Sequence, residues 1–236
     1  MIECAVWWAT PVADPGEYLP LLTDAERERH AAYRREDDRR RFVTGRVLAR
    51  TLAAEHLGAD PADIVFDATC EDCGKQHGPP RIPGAALKLS ISHAGERVGI
   101  ALADGVDLGL DVESTGRRAD DSMLEYALNP AERAALEGLS AAERSEAFFR
   151  YWTGKEALMK ATGRGLRIPL RSLTLSAPDE RPRLAASEDP ALTPERTRLA
   201  ELDPGEGYHA AVAVLTADEV HLTQRWWGAA PAATGQ

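Results

Sequence analysis

Cysteine is scarce in this 236-residue chain, and its three residues, an odd number, imply no disulfide framework. No uncharged apolar run approaches the length that crosses a bilayer. The opening Met1-Ile2-Glu3-Cys4 lacks the basic region and apolar core of a secretory signal. These absences lead to the expectation of a reduced, soluble, cytoplasmic protein with no membrane partner; a monomer is expected too. Positive charge is also short. With 28 Lys and Arg against 38 Asp and Glu, the formal net charge is −10 and the pI lies near 5.1. An average field of that sign repels a polyanion, so nucleic acid is not expected as a partner.

What is present is ordinary for a globular chain: 44% hydrophobic and 28% charged residues. The length suits one large domain or two small ones, with enough chain to bury a core without staples. The charge is uneven. Nine arginines stand between Arg27 and Arg50, among them Arg29, Arg41 and Arg46. Glu26, Glu28, Glu36, Asp37 and Asp38 dilute the stretch but leave it net basic. Such a stretch serves either to attract a small anion or as a solvated helix face laced with charge pairs.

Periodicity predicts the elements. Cys4 to Ala9 reads as a first strand. Thr23 to Arg35 reads as a helix opened by a capping box of Thr23 and Glu26. Asp37 to Leu57 reads as a second helix, with Phe42, Val47, Leu48 and Leu52 at helical spacing and Gly58 as its stop. Residues 60–84 look loop-rich around a short strand, Ile64 to Phe66. Leu87 to Ile91, Val98 to Ala103 and Gly109 to Val112 read as strands. Helices follow at Ser122 to Leu128, from Asn129-Pro130 to Leu136, and over Ala141 to Thr162 with a break expected near Gly154. Leu170 to Ser176, Tyr208 to Leu215 and Val220 to Trp226 read as strands; Pro178 to Pro204 reads as turns and a loose hairpin.

There is an internal echo. Thr153-Gly154-Lys155 follows Thr44-Gly45-Arg46 by 109 positions, and a strand rich in small residues begins 54 positions after each threonine. Chance and duplication both account for three matched residues. Duplication would give two α/β halves with a cleft between them, where ligands commonly bind.

Four constellations could carry chemistry. In Gly109-Leu110-Asp111-Val112-Glu113, alternation puts Asp111 and Glu113 on one strand face. Two carboxylates there call for a hard cation, or for a solvated strand end. In Tyr151 to Lys160, Glu156 and Lys160 share a helix face, with Lys155 beside them. An exposed helix pair and an anion-binding cluster both fit. Ser90-Ile91-Ser92-His93 ends a strand. Ser92 and His93 point to opposite faces and so cannot form a nucleophile–base pair. No Gly-x-Ser-x-Gly elbow surrounds them. Phosphate hydrogen bonding or a capped turn remain. Cys70-x-x-Cys73 with His77 offers three of the four ligands of a structural zinc, with Cys4 as a remote fourth, and is not read as a zinc site.

Taken in order, Ser90-x-Ser92-His93, Gly109 to Glu113 and Trp152 to Lys160 resemble the Sfp-type 4′-phosphopantetheinyl transferases. The Arg39 to Arg50 helix and Gly163-Arg164-Gly165-Leu166 add to the likeness. The resemblance departs at Gly78-Pro79-Pro80, where the family often carries Gly-Lys-Pro, which leaves a coenzyme A contact to Lys75 or Arg81. It departs again at Ala94, where a serine is usual.

The resemblance implies an α+β pseudo-dimer of two similar α/β halves. Each half is a small, mostly antiparallel sheet packed on a long helix, and the active site lies in the cleft between them. The halves would span 1–105 and 106–227, with a disordered tail at 228–236. Asp111, Glu113 and Glu156 would hold Mg²⁺. Glu156 would be the general base, directly or through metal-bound water. Lys160 would stabilise the leaving 3′,5′-ADP. Ser92, His93 and Lys155 would bind phosphates, and Arg41 and Arg46, with Arg29, the 3′-phosphoadenosine end. Coenzyme A would be the substrate, and an acyl or peptidyl carrier protein of polyketide or nonribosomal peptide assembly, hence of antibiotic biosynthesis, the partner. Met123, Leu124 and Leu128 are candidates for the carrier contact. A fatty-acid-specific holo-carrier synthase and an Mg²⁺-dependent phosphodiesterase are the rival readings.

Overall fold

The computed structural model describes residues 1–69, 74, 76–116 and 118–228. Cys70, Cys73 and Lys75 lie outside the described residues, as do the side chain of His77 and residues 229–236. The zinc reading, the Lys75 substitute and most of the expected tail fall there.

The first half begins with β1 (Ile2–Ala9), whose Cys4, Val6 and Trp8 point into a core. Helix α1 (Asp24–Ala32) starts as its capping box requires: the Thr23 side chain accepts from the Glu26 amide, and Glu26 accepts from the Thr23 amide. Helix α2 (Glu36–Leu57) buries Phe42, Val43, Val47, Leu48 and Leu52 along one stripe. It ends at Gly58, whose φ of 65° is the left-handed conformation that glycine reaches without strain. Four strands follow: β2 (Asp67–Thr69), β3 (Gln76–Arg81), β4 (Leu87–Ala94) and β5 (Arg97–Asp104). They complete an antiparallel run, β1-β5-β4-β3-β2.

The second half repeats the plan. Strand β6 (Leu108–Ser114) leads into α3 (Asp121–Ala127), α4 (Pro130–Ala134) and the long α5 (Ala141–Ala161). A small ladder of β7 (Leu173–Leu175) and β8 (Leu184–Ser187) precedes β9 (Arg198–Leu202) and β10 (Tyr208–Val214). The antiparallel sheet β6-β10-β9 lies against α5. The last strand, β11 (Val220–Trp226), crosses back and pairs in parallel with β1 from Ile2↔Val220 to Trp8↔Trp226. The chain is thus a two-half α+β molecule, with one strand of its C-terminal part completing the N-terminal sheet.

β4 and β6 run side by side without belonging to one ladder. Serine side chains join them. Ser90 Oγ accepts from the Leu110 amide at 3.0 Å, and Ser92 Oγ accepts from the Val112 amide at 3.2 Å. Both amides are buried and need a partner.

Several local expectations are corrected. Helix α5 runs unbroken through Gly154, because tertiary packing on both sides outweighs the roughly 1 kcal/mol that a helical glycine costs. The short strand expected at Ile64 to Phe66 instead follows at Asp67–Thr69, behind a 3₁₀ turn at Pro61–Asp63. Another 3₁₀ turn takes Leu170–Ser172, leaving only Leu173–Leu175 extended. The Pro-rich stretch expected as turns and a loose hairpin does contain two strands, β8 and β9, but they do not pair with each other: β8 pairs with β7, and β9 is an edge strand of the second sheet.

Candidate active site

Alternation along β6 decides what faces what. Leu110 and Val112 enter the core shared with β1 and β5. Gly109, Asp111 and Glu113 take the opposite face, toward α5. Gly109 is there because nothing larger fits. A Cβ would sit 2.0 Å from the Ala157 carbonyl oxygen and 2.4 Å from the Ala161 amide nitrogen. Helix and strand backbones therefore meet directly, and Lys160 is delivered over Asp111.

The Lys160 ammonium donates to Asp111 Oδ1 at 2.7 Å, to Ser92 Oγ at 3.0 Å and to the Leu110 carbonyl at 3.1 Å. Asp111 Oδ1 also accepts from the Ser92 hydroxyl at 3.1 Å. Asp111 Oδ2 is buried with no hydrogen-bond partner among the described residues. Glu113 Oε1 accepts from the Trp152 indole at 3.2 Å. Glu156 has its carboxyl pushed above the ordinary range by burial first and by the Asp111 charge next; Glu113 adds to the shift, and Lys160 opposes it. Glu156 therefore feels the charges of both β6 carboxylates, and the one ammonium nearby, Lys160, offsets only part of them.

No three His, Cys, Asp or Glu side chains among the described residues lie in a ready metal-ligating group. The donors nonetheless fit a hard divalent cation: all are oxygens, the charge is in excess, and Asp111 keeps one oxygen unpartnered.

In front of this row opens a cleft of about 360 Å³ between the halves. Asp111, Glu113, Ser92 and Lys160 form part of its lining, and Arg29, Arg41, Arg46 and His93 supply a basic wall. Glu156, on α5, is not among its lining residues. Arg46 stacks over Phe42 at 5.6 Å and Phe66 at 5.8 Å, and Arg29 stacks on Phe42 at 5.5 Å. Arg46 Nε lies 3.5 Å from Glu26, while its Nη1 is buried without a partner. Burial pulls its pKa down, Glu26 opposes this, and Arg29 and Arg50 add to it. An anion in the cleft would relieve all three strains. Arg41 is held by the Gly95 carbonyl at 3.0 Å and by Asp38 at 2.5 Å. His93 presents an accessible edge. Its pKa is lowered by the surrounding protein first and by Arg41 and Lys160 next, so the neutral imidazole dominates at pH 7.

Two of the expected phosphate ligands are corrected. Lys155 is fully buried. Its ammonium donates to Glu132 at 2.5 Å, to the Ala127 carbonyl at 2.8 Å and to the Leu170 carbonyl at 3.0 Å. One helical step of about 100° separates it from Glu156 and turns it into the core. Ser92 does line the cleft, but its one proton and both lone pairs are taken by Asp111, Lys160 and Val112. Two carrier-contact candidates, Leu124 and Leu128, fail as well because they are buried in the second core; Met123 is partly buried and packs against it.

Sequence reasoning missed Phe42 and Phe66 as stacking platforms and Glu26 as the arginine anchor. Phe42 stands four residues before Arg46 on one helix, which was a readable signal. The Phe66 contact depends on a loop and was not.

Fold and cleft together define a two-half α+β protein whose cleft sets a basic wall against an acidic row. Residues 107–213 match the 4′-phosphopantetheinyl transferase superfamily, and residues 8–104 match the 4′-phosphopantetheinyl transferase N-terminal family. The chain is 30% identical to the 4′-phosphopantetheinyl transferase HetI of Nostoc sp. over 213 residues, covering 88% of this chain and 86% of that one. It is 28% identical to a Bacillus subtilis 4′-phosphopantetheinyl transferase over 163 residues, 69% of each chain. It is 26% identical to Sfp of the same species over 159 residues, 67% of each. The chain belongs to the 4′-phosphopantetheinyl transferase family. It uses coenzyme A and transfers the phosphopantetheine moiety to carrier proteins.

Proposed function

We propose that the transfer takes place where the basic wall meets the acidic row, and that Asp111, Glu113 and Glu156 hold Mg²⁺ there. The observation that carries this reading is the Lys160–Asp111 contact of 2.7 Å at the cleft floor. It sets a cation donor and an ion-binding carboxylate side by side. Arg46 and Arg29 take the 3′-phosphoadenosine end, with Arg41 and His93 on the phosphates. Lys160 takes the charge that develops on the leaving group.

The carrier serine oxygen forms a bond to the phosphorus that bears pantetheine. The bond from that phosphorus to the oxygen of 3′,5′-ADP breaks. The serine proton passes to the Glu156 carboxylate, the general base of this reading. Mg²⁺, when bound, neutralises the diphosphate and orients it for in-line attack. Positioning and charge neutralisation carry most of the barrier reduction, so no covalent enzyme intermediate is needed.

The division into an N-terminal half at 1–105 and a C-terminal half at 106–227 belongs to this reading. The partner is an acyl or peptidyl carrier of polyketide or nonribosomal peptide assembly, met by a cytoplasmic monomer. The support is the pairing of two complete halves in one chain, which gives a whole cleft without a second copy.

Mass spectrometry of an apo-carrier incubated with this protein, coenzyme A and Mg²⁺ tests the reading; a gain of one phosphopantetheine is expected. Glu156→Gln should slow the gain by at least about a hundredfold, the scale of a lost general base. Release of 3′,5′-ADP from coenzyme A at the same rate without any carrier would replace transfer by hydrolysis. A panel of fatty-acid, polyketide and peptidyl carriers tests the pathway.

A further inference from the structure

We infer that Ser92 is a positioning residue whose hydroxyl fixes which oxygen of Asp111 is offered to the cation, and that this oxygen is Oδ2. The inference rests on the reading of Asp111 as an Mg²⁺ ligand. A serine hydroxyl has one proton and two lone pairs. Here the proton goes to Asp111 Oδ1 at 3.1 Å. The lone pairs accept from Lys160 Nζ at 3.0 Å and from the Val112 amide at 3.2 Å. Asp111 Oδ1 is thereby held from two sides, by Ser92 and by Lys160. Oδ2 is left buried and without a partner among the described residues. A buried carboxylate oxygen with no partner is costly unless something positive meets it. The carboxylate cannot rotate to exchange its oxygens without breaking two hydrogen bonds.

The Val112 bond gives Ser92 a second part in the same act. It comes from β4 of the first half and grips β6 of the second. The hydroxyl that aims Asp111 therefore also sets β6 against the wall carrying His93. Ser90 makes the matching seam bond to the Leu110 amide at 3.0 Å. Among the described residues it makes no bond to a carboxylate, and it serves as the internal control.

The test is the affinity of the whole protein for Mn²⁺ in the presence of saturating coenzyme A and no carrier, read by electron paramagnetic resonance of free Mn²⁺. Ser92→Ala should weaken Mn²⁺ binding about 10- to 100-fold, the usual effect of removing an outer-shell partner of a metal ligand. Ser90→Ala should lower the melting temperature comparably and leave the Mn²⁺ affinity within about threefold of wild type, because outer-shell effects need a bond to the ligand. Ser92→Cys, close in size but a weak donor, should fall with Ser92→Ala and covers the case in which the alanine variant unfolds. Asp111→Asn should abolish binding. Equal weakening by Ser92→Ala and Ser90→Ala would overturn the inference, since a seam defect would then explain both. Wild-type affinity in both Ser92 variants, with binding lost in Asp111→Asn, would overturn this inference alone. Wild-type affinity in Asp111→Asn, or no binding by the wild type, would overturn the metal reading and this inference with it.

Discussion

Thr44-Gly45-Arg46 on α2 and Thr153-Gly154-Lys155 on α5 occupy matching places in the two halves. Each threonine hydroxyl bonds back to the carbonyl four residues earlier, Arg40 at 2.7 Å and Phe149 at 2.9 Å. Each glycine lets its helix settle onto neighbouring side chains, Ile91 in one case and Leu175 in the other. Each basic residue reaches the glutamate of a capping box, Glu26 of Thr23-x-x-Glu26 or Glu132 of Asn129-x-x-Glu132. The outcomes differ. Glu26 is held mainly by Arg50 at 2.7 Å, which leaves Arg46 free to stack on aromatics and look into the cleft. Glu132 has Lys155 as its buried counter-ion, so Lys155 is locked inside. The same three-residue pattern became part of the cleft wall in one half and a core fastener in the other, because in the first half Arg50 takes over the fastening.

That comparison can be broken most forcefully at Lys155. Lys155→Ala removes one partner of a buried pair and leaves Glu132 charged in the core. It should cost about 3–5 kcal/mol in denaturant unfolding. A loss below about 1 kcal/mol would mean that Lys155 is not the fastener.

Arg46→Ala leaves Glu26 paired with Arg50, so stability should barely fall. Its effect should appear as a rise in the KM for coenzyme A of about 10- to 100-fold, the size of one charge-assisted contact. A stability loss as large as that of Lys155→Ala, with KM unchanged, would reverse the assignment.

The glycines sharpen the contrast on a smaller scale. A Cβ at residue 154 would lie 2.8 Å from Leu175 Cδ1, against 3.3 Å from Ile91 Cγ2 at residue 45. Gly154→Ala should therefore be destabilising by up to about 2 kcal/mol, overpacking outweighing the helical gain. Gly45→Ala should be near neutral or slightly stabilising, as thermal unfolding of both variants would show.

The smallest effect concerns the acidic row, which has no counterpart on α2. The Glu156 carboxyl is raised in the folded protein, so its folded state favours the protonated form. That contribution to stability is complete below the ordinary glutamate range and is lost as pH rises through the raised value. Without added metal, Glu156→Gln should melt about 2 °C above wild type at pH 7 and converge with it near pH 4. A variant less stable than wild type at pH 7 would contradict the crowding of Asp111, Glu113 and Glu156.

Much of this was readable from residue order. The capping boxes, the Gly58 stop, the alternation of Asp111 and Glu113, and the Glu156–Lys160 spacing are local patterns, and local geometry honours them. The fate of Lys155 was not readable, because nothing in Thr-Gly-Lys says which face of α5 meets the core. Nor was the full bonding of Ser92, whose partners lie 19, 20 and 68 residues away. The pairing of the extended runs within Pro178 to Pro204 was hidden because an edge strand is recruited by its neighbour, here β10 for β9, and not by its own propensity.

The sequence by itself determined which side chains could supply charge to phosphate and cation, since these follow from spacing of two and 3.6 residues and from residue chemistry, and its motifs carried the resemblance that implied the family and the two-half α+β plan. Only the tertiary structure decided which of those charges meet. The backbone contact at Gly109 brought Lys160 onto Asp111, the Ser90–Ser92 seam fixed one half against the other, and Glu132 drew Lys155 away from the cleft. Each of these is a contact between distant segments, set by close packing and the need to satisfy buried polar groups, and neither can be read from a local window.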